Sequence, residues 1–76
     1  MSKRFPALNY KQITKVVKNL GFSFERTAKG SHEIWRRNVD KKHTTIPNHG
    51  NKIIKRRTLK AIIEDIGITV KDLNKK

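Results

Sequence analysis

Hydrophobic residues recur at three- and four-residue intervals near both ends of the chain, which is the pattern of an amphipathic helix. The first set falls on one helical face: Ile13, Val16, Val17 and Leu20. Asn9 and Gln12 have the spacing of a capping box, and Leu8 stands where a hydrophobic staple would contact the helix. Gly21 is a residue that commonly ends a helix. We therefore predict a first helix over residues 10–20.

A second set with the same spacing lies near the end of the chain: Leu59, Ile62, Ile63 and Ile66. Thr58 is predicted to cap this second helix at its start, and Gly67 is predicted to end it. Thr69 and Asp72 suggest a further capping box, which would open a last short turn that buries Leu73.

Between the two helices, the residues follow the two-residue period of β-strands. In the first segment three residues alternate with three others: Phe22, Phe24 and Arg26 with Ser23, Glu25 and Thr27. A turn at Gly30, where a positive φ is expected, leads to a second strand over residues 32–37. A third strand over residues 43–46 is stopped by Pro47. This pattern predicts an antiparallel meander.

The predicted element order is helix, three strands, helix, with a basic and mostly polar loop over residues 48–57. Two amphipathic helices on one face of a three-stranded antiparallel sheet make a two-layer α+β domain. This order resembles the double-stranded RNA-binding fold. We expect a single domain over residues 1–76, with a core at about 10–73 and loose segments at 1–8 and 74–76, since a chain of this length has room for one core.

Charge adds the first indication of function. The chain has 19 lysines and arginines against six aspartates and glutamates, a formal net charge of +13. Such a balance predicts strong, salt-sensitive attraction to a polyanion, and nucleic acid is the expected partner. An anionic membrane surface is a weaker alternative, because no predicted helix pairs a lysine-rich face with bulky exposed apolar residues. An acidic protein partner fits the same charge.

Other residue types narrow the chemistry. Cysteine is absent, which excludes disulfides, thiolate metal sites and thiol nucleophiles. No apolar run has the length of a signal peptide or a membrane span, so we expect a cytoplasmic protein without a membrane partner. The three histidines and six acidic residues show no metal-ligand spacing, and we expect neither a metal nor another cofactor.

His32 is the candidate for proton transfer, because it follows Gly30 and Ser31 beside a basic turn. An imidazole with the ordinary pKa near 6.5 can donate and accept protons at neutral pH. RNA cleavage needs a base for the 2′-hydroxyl or an acid for the leaving 5′-oxygen. Gly30 would let the backbone approach a phosphate, and Ser31 could hydrogen-bond the phosphate or the imidazole. The alternative is a structural strand histidine: His32 shares an ideal strand face with Ile34, which we expect in the core, so a catalytic His32 must lie at the sheet's open end.

Further residues have candidate roles of lower specificity. Basic side chains around the hairpin and before the last helix could hold phosphates: Arg26, Lys29, Arg36, Lys55, Arg56 and Arg57. His43 and His49 are candidates for a second proton-transfer group. Trp35 is expected to pack in the sheet, with stacking on a base as the alternative, and Phe22 and Phe24 are expected in the core and at its flank. The first helix also carries a basic stripe that we interpret as an ordinary solvated face: Lys11, Lys15 and Lys18.

Several short motifs follow one another along the chain: Gly21-Phe22, Arg26, Gly30-Ser31-His32, Trp35, Ile46-Pro47-Asn48-His49, Thr58-Leu59 and an isoleucine-rich helix that ends in Gly67-Ile68. In this order and spacing they resemble the HicA toxin family, small mRNA interferases of bacterial type II toxin–antitoxin pairs. The resemblance covers about residues 10–73. Arg57 departs from the glycine that is common before Thr-Leu, and Thr27 from the glutamine that often follows the first-strand arginine. Arg57 is a candidate for an added phosphate contact.

The resemblance implies a double stranded RNA-binding-like fold and metal-independent endonuclease activity on mRNA. It implies that the histidine of Gly-Ser-His, here His32, is essential, and it assigns no firm role to His49 of the Pro-x-His motif. It also implies neutralisation by a HicB antitoxin, whose partial RNase-H-like domain would cover the site. We expect the toxin to be monomeric outside that complex.

Two other functions stay open at the level of sequence. A non-catalytic RNA-binding module would share the fold and charge but would bind RNA stoichiometrically without cleaving it. An interaction protein would use the basic surface only to meet an acidic partner, and a steep loss of RNA affinity with salt would argue against it.

Overall fold

The computed structural model describes residues 6–69 of the chain. Two helices and three strands follow one another in this range: α1 (Tyr10–Asn19), β1 (Ser23–Thr27), β2 (His32–Arg37), β3 (Lys42–Pro47) and α2 (Arg56–Ile66). The strands form one antiparallel sheet in the order β1-β2-β3, and both helices pack on one of its faces. The predicted two-layer α+β fold is confirmed. The predicted last turn with Asp72 and Leu73 lies outside the described residues.

The start and end of α1 follow from local sequence signals. The Asn9 side chain accepts a hydrogen bond from the backbone N–H of Gln12 at 3.0 Å, and the Gln12 side chain accepts one from the Asn9 N–H at 2.9 Å. This reciprocal pair is the predicted capping box. Beyond the C-cap, Gly21 has a φ of +95°, which favours glycine. Ile13 and Val17 on the predicted apolar face are fully buried.

β2 is the central strand, and its alternate residues face opposite sides of the sheet. Trp35 packs beneath the helices and is 3% exposed, whereas Ile34 on the other side is only partly buried. The expectation that Ile34 belongs to the core is therefore wrong. Ile34 and Trp35 are adjacent hydrophobic residues, so the two-residue period alone could not predict which of them faces the core. The larger indole of Trp35 takes the buried side. His32 alternates with Trp35 along β2 and stands at the end of the strand, where it pairs with Pro47.

β1 is an edge strand with a β-bulge. Its pairing with β2 shifts between Phe24 and Arg26, which leaves Glu25 as an extra residue. Phe24 therefore shares the helix side of the sheet with Trp35, while Arg26 pairs with Ile34 on the open side. The simple alternation that would place Phe24 and Arg26 on one face is wrong. The predicted division of the phenylalanines into core and flank is confirmed, with Phe22 buried and Phe24 half-exposed.

α2 begins at Arg56, two residues before the predicted cap. The N-cap is Lys55, whose carbonyl accepts a hydrogen bond from the Leu59 N–H at 2.9 Å and whose side chain makes no capping bond. The assignment of Thr58 as N-cap is therefore wrong. The helix starts early because Ile54 is buried in the core and fixes the chain immediately before Lys55.

The segment before α1 is joined to the loop before α2. The backbone N–H of Ile54 donates to the carbonyl of Leu8 at 2.8 Å, and Asn9 forms an isolated β-bridge with Ile53. Leu8 packs against the core, as the staple position predicts. Backbone and side-chain contacts thus join Leu8 to the fold.

The core draws hydrophobic residues from both helices, from β2 and β3 and from the connecting segments: Ile13, Val17, Phe22, Trp35, Ile46, Ile54, Leu59, Ile62, Ile63 and Ile66. The predicted buried face of α2 is confirmed in full. Gly67 ends this helix with a φ of +78°, and its N–H donates to the Ile63 carbonyl at 3.0 Å.

Candidate active site

The turn between β1 and β2 determines where His32 stands. The Ala28 N–H donates to the His32 carbonyl at 2.7 Å, and the His32 N–H donates to the Lys29 carbonyl at 3.1 Å. Gly30 has a φ of +59°, as predicted, and a Cβ at this position would meet no atom within 4 Å. The need for glycine is therefore one of backbone conformation. The turn leaves His32 exposed as the first residue of β2, at the end of the sheet.

The end of β3 brings the second histidine motif to the first. His32 pairs with Pro47 across the sheet, and the Asn48 N–H donates to the Ser31 carbonyl at 2.9 Å. The two motifs therefore lie side by side, Gly30-Ser31-His32 next to Pro47-Asn48-His49. They are far apart along the chain, since Asn48 follows Glu33, the neighbour of His32, by 15 residues.

An open cavity of about 410 Å³ lies at this end of the sheet. Its polar lining includes two imidazoles and two ammonium groups, from His32, His49, Lys52 and Lys55. The remaining lining residues are Pro47, Ile53, Ile54 and Thr58. The cavity thus brings two histidines, the residue type most often used as a general acid or base, beside two positive charges, which suits the binding and reaction of a phosphodiester.

Glu33, next to His32, fixes the loop that carries His49. One carboxylate oxygen of Glu33 accepts from the Tyr10 hydroxyl at 2.6 Å and from the Trp35 indole N–H at 3.2 Å. The other oxygen accepts from the side-chain amide of Asn48 at 3.1 Å. A single carboxylate therefore joins α1, β2 and the loop after β3.

The same contact changes the acidity of the tyrosine. Burial, followed by the hydrogen bond and the negative charge of Glu33, raises the pKa of Tyr10 to about 12. Each cause disfavours the charged phenolate. Tyr10 is therefore a hydrogen-bond donor to Glu33 throughout the neutral range and carries no proton-transfer role there.

The α2 N-terminus adds positive potential to the cavity. Lys55 is the N-cap, and its side chain makes no capping hydrogen bond to the first N–H groups of the helix. These groups carry the partial positive charge of the helix dipole. Arg56 and Arg57 are exposed in the first turn. Lys29 is exposed in the hairpin turn that also carries Ser31.

The other predicted cations lie farther from the cavity. Arg26 is on the open side of the sheet opposite Ile34, and Arg36 is on the same side opposite His43. Arg36 is four residues along β2 from His32, which corresponds to roughly 13 Å. Its Nε is buried and makes no hydrogen bond within the described part of the chain. The structure therefore does not bring Arg26, Arg36 and His43 to the cavity.

Trp35 is enclosed by its neighbours, which agrees with a packing role. Its indole N–H bonds Glu33, and the Phe24 ring meets it edge-on at a centroid distance of 6.0 Å. The Lys18 ammonium lies 5.7 Å from the Trp35 ring centroid. Lys18 therefore has a specific contact, whereas Lys11 and Lys15 of the predicted solvated stripe are simply exposed.

Two residues of the site were not predicted from sequence. Glu33 could have been found, because it is one of only six acidic residues and it adjoins His32. Lys52 gave no signal, since its place in the cavity depends on how the loop after Pro47 folds.

The described residues form neither a metal-ligand cluster nor a membrane-spanning helix. Between residues 6 and 69, no three side chains of histidine, cysteine, aspartate or glutamate converge in the manner of a metal site. None of the helices there is both long and apolar enough to cross a membrane.

Comparison with known proteins identifies one family. Residues 10–68 match the family model described as the HicA toxin of bacterial toxin–antitoxin systems. No curated protein matches the chain.

Proposed function

Because the chain belongs to the HicA toxin family of bacterial toxin–antitoxin systems, we propose that it is a ribonuclease that cleaves mRNA and so arrests translation and growth. The observation that carries the proposal is the joint placement of His32 and His49 beside Lys52 and Lys55 in one open cavity. The catalysis is metal-independent and uses the histidines as general acid and base.

The proposed reaction is attack of a ribose 2′-oxygen on the neighbouring phosphorus. One histidine takes the proton of the 2′-hydroxyl as the new O–P bond forms, and an acid protonates the 5′-oxygen as its bond to phosphorus breaks. His32 is the essential group and His49 the second one, and either can be the base. Gly30 and Ser31 shape the approach of the phosphate to His32.

The cations of the site hold the substrate and stabilise the charge that builds on the phosphorane. Lys52 and Lys55 line the cavity, and Lys29 and Arg57 are exposed on the segments next to it. Arg56, Arg26 and Arg36 contribute to binding along the strand beyond the reacting phosphate. Contacts of this kind supply affinity with little choice of sequence.

Membership of a toxin–antitoxin family implies an antitoxin partner. We propose that this partner is a HicB-like protein, and that it inhibits the toxin by covering the open cavity. The toxin acts in the cytoplasm, where mRNA is found, and is monomeric outside the inhibited complex.

Three histidine variants test the mechanism. Purified His32→Ala should lose about 10²- to 10⁴-fold in the rate of single-stranded RNA cleavage, which is the usual size of a general acid–base contribution, and His49→Ala should also lose activity. His43→Ala is the matched control, because His43 lies outside the cavity, and it should cleave like the wild type. Thermal unfolding verifies that each variant is folded.

The same assay separates the alternatives. Activity should persist in a chelator, and its loss there would indicate a metal nuclease. A folded His32→Ala protein that still cleaves RNA and still arrests growth would contradict the assignment of His32. Wild-type protein that binds RNA but never cleaves it would instead be a non-catalytic RNA-binding module.

A further inference from the structure

A second cavity lies between α1 and β1, on the helix side of the sheet. Its volume is about 530 Å³, within the range of roughly 300–1,000 Å³ that is typical of small-ligand sites. The chain has five aromatic residues, and four of them line this groove: Tyr10, Phe22, Phe24 and Trp35. Lys18, Ser23 and Glu33 complete the lining. We call this cavity the aromatic groove.

The rings of the aromatic groove differ in accessibility. Phe22 and Trp35 belong to the core and are 2% and 3% exposed. Phe24 is 49% exposed, although it is a large hydrophobic side chain on a small protein. The edge-on contact with Trp35, at 6.0 Å and an interplanar angle of 73°, supports the Phe24 ring from behind. Phe24 is therefore an exposed aromatic ring that is held against the core, which is what a stacking partner needs.

The opposite wall of the groove is also held in place. The Tyr10 hydroxyl is bound to Glu33 at 2.6 Å, and the Tyr10 ring packs against the core. Tyr10 and Phe24 thus bound a groove whose shape is set before any ligand arrives. A preformed site loses less conformational entropy on binding than one that must order its side chains.

Charge around the aromatic groove is positive on the side that faces solvent. The Lys18 ammonium lies 5.7 Å from the Trp35 ring centroid, at the groove itself. Lys11 and Lys15 are exposed at the helical spacing that places them on the same side of α1 as Lys18. The one acidic lining residue, Glu33, already accepts three hydrogen bonds. An anionic ligand with a flat ring therefore matches both the shape and the charge.

We propose that the aromatic groove binds an unpaired nucleobase of single-stranded RNA, which stacks on Phe24 while the Lys18 side of α1 holds the adjoining phosphates. The proposal rests on the proposed function in so far as RNA is the substrate. Stacking on an aromatic ring beside lysines is a common way to bind single strands, and it tolerates any base because every base has a π-face. Glu33 lines this groove and adjoins His32 in β2, so one bound strand can reach both the groove and the cavity.

A binding assay with a strand that cannot be cleaved tests the proposal independently of catalysis. The probes are an oligothymidylate and a strand of equal length whose deoxyribose units carry no bases, since neither has a 2′-hydroxyl. The chain has one tryptophan, so its fluorescence reports binding at the groove. Wild-type protein should prefer the strand with bases by about tenfold or more, the effect of one stacked base.

Phe24→Ala should abolish this preference and leave affinity for the base-free strand unchanged. Phe24→Leu, which keeps an apolar side chain in place but has no ring, should lose it too, and Phe24→Tyr should retain it. Val39→Ala is the control, because Val39 is an exposed hydrophobic residue, 86% accessible, in the connection between β2 and β3. If the alanine variant is unfolded, the leucine variant carries the test.

Two results would overturn the proposal. One is a base preference that survives in folded Phe24→Ala or Phe24→Leu. The other is an unchanged preference together with weaker binding of the antitoxin, which would make the groove a protein contact. Failure of the proposed function has a different signature, because a wild-type protein that never cleaves RNA can still show the base preference and its loss in Phe24→Ala.

Discussion

The geometry of the candidate site depends most on Glu33, whose carboxylate joins α1, β2 and the loop after β3. Burial is the largest cause of the raised pKa of Tyr10, and the hydrogen bond and charge of Glu33 add to it, so Glu33→Gln should lower this pKa only part of the way from about 12 towards 10. The hydrogen bond stabilises the fold below the ordinary pKa of tyrosine, and this contribution should disappear as the pH rises from about 10 to about 12. Absorbance of the phenolate measures this pKa directly, since the chain has one tyrosine.

Asn48 separates the two roles of Glu33. Asn48→Ala removes the tie between Glu33 and the loop of His49 but leaves the Tyr10 contact intact. It should slow RNA cleavage, because the loop of His49 loses its tie to β2, while the pKa of Tyr10 stays near its wild-type value. Equal cleavage rates in wild type and Asn48→Ala would mean that this tie does not position the catalytic loop.

The conformation or position of a single residue could be predicted from sequence only where it depends on local chemistry. Gly30 could be assigned a positive φ because a tight turn needs one. The side of the sheet that Ile34 occupies could not be assigned, because it depends on competition with Trp35 for the same core. His32 illustrates both situations: its neighbours marked it as a candidate, but its exposed place beside His49 comes from the pairing of β2 with β3.

At the scale of elements, the two helices differ in how they begin, and this difference can be measured. Asn9→Ala should reduce the free energy of unfolding by about 1 kcal/mol, because Asn9 caps α1 through its side chain. Thr58→Ala should change it by less than about 0.5 kcal/mol, because Thr58 lies within the first turn of α2 and caps nothing. Denaturant unfolding of both variants provides the comparison. A larger loss in Thr58→Ala than in Asn9→Ala would contradict the observed start of α2.

The buried faces of the helices were predictable because their hydrophobic residues recur with the 3.6-residue period of an α-helix. The start of α2 was not, because it depends on the bond between Ile54 and Leu8, which are distant along the chain. The β1 bulge was also hidden, since the sequence shows an unbroken alternation through Glu25 and the register shift arises only on pairing with β2. Elements that follow from local periodicity can thus be predicted from sequence. Their exact ends and strand registers depend on tertiary contacts.

At the scale of the whole molecule, a net charge of +13 predicts how RNA affinity depends on salt. Four of the cations that border the cavity or stand on adjoining segments are Lys29, Lys52, Lys55 and Arg57. If each neutralises one phosphate, the logarithm of the association constant should fall with the logarithm of salt concentration with a slope of about −3, at about 0.7 per phosphate on a single strand. Arg26, Arg36 and Arg56, which we also propose to contact the strand, should each steepen the slope by about 0.7 for every phosphate they neutralise.

Arg57 gives this prediction a sharp test, since it is exposed in the first turn of α2, next to the cavity. Arg57→Gln should make the slope shallower by about 0.7 and weaken binding similarly for all sequences, because a phosphate contact carries no base information. Lys41→Gln makes the same charge change in the turn at the opposite end of β2 and should leave the slope as it was. Equal changes of slope in the two variants would show that RNA responds to total charge alone. A change confined to Arg57→Gln would mean that the strand follows the edge of the cavity at the start of α2.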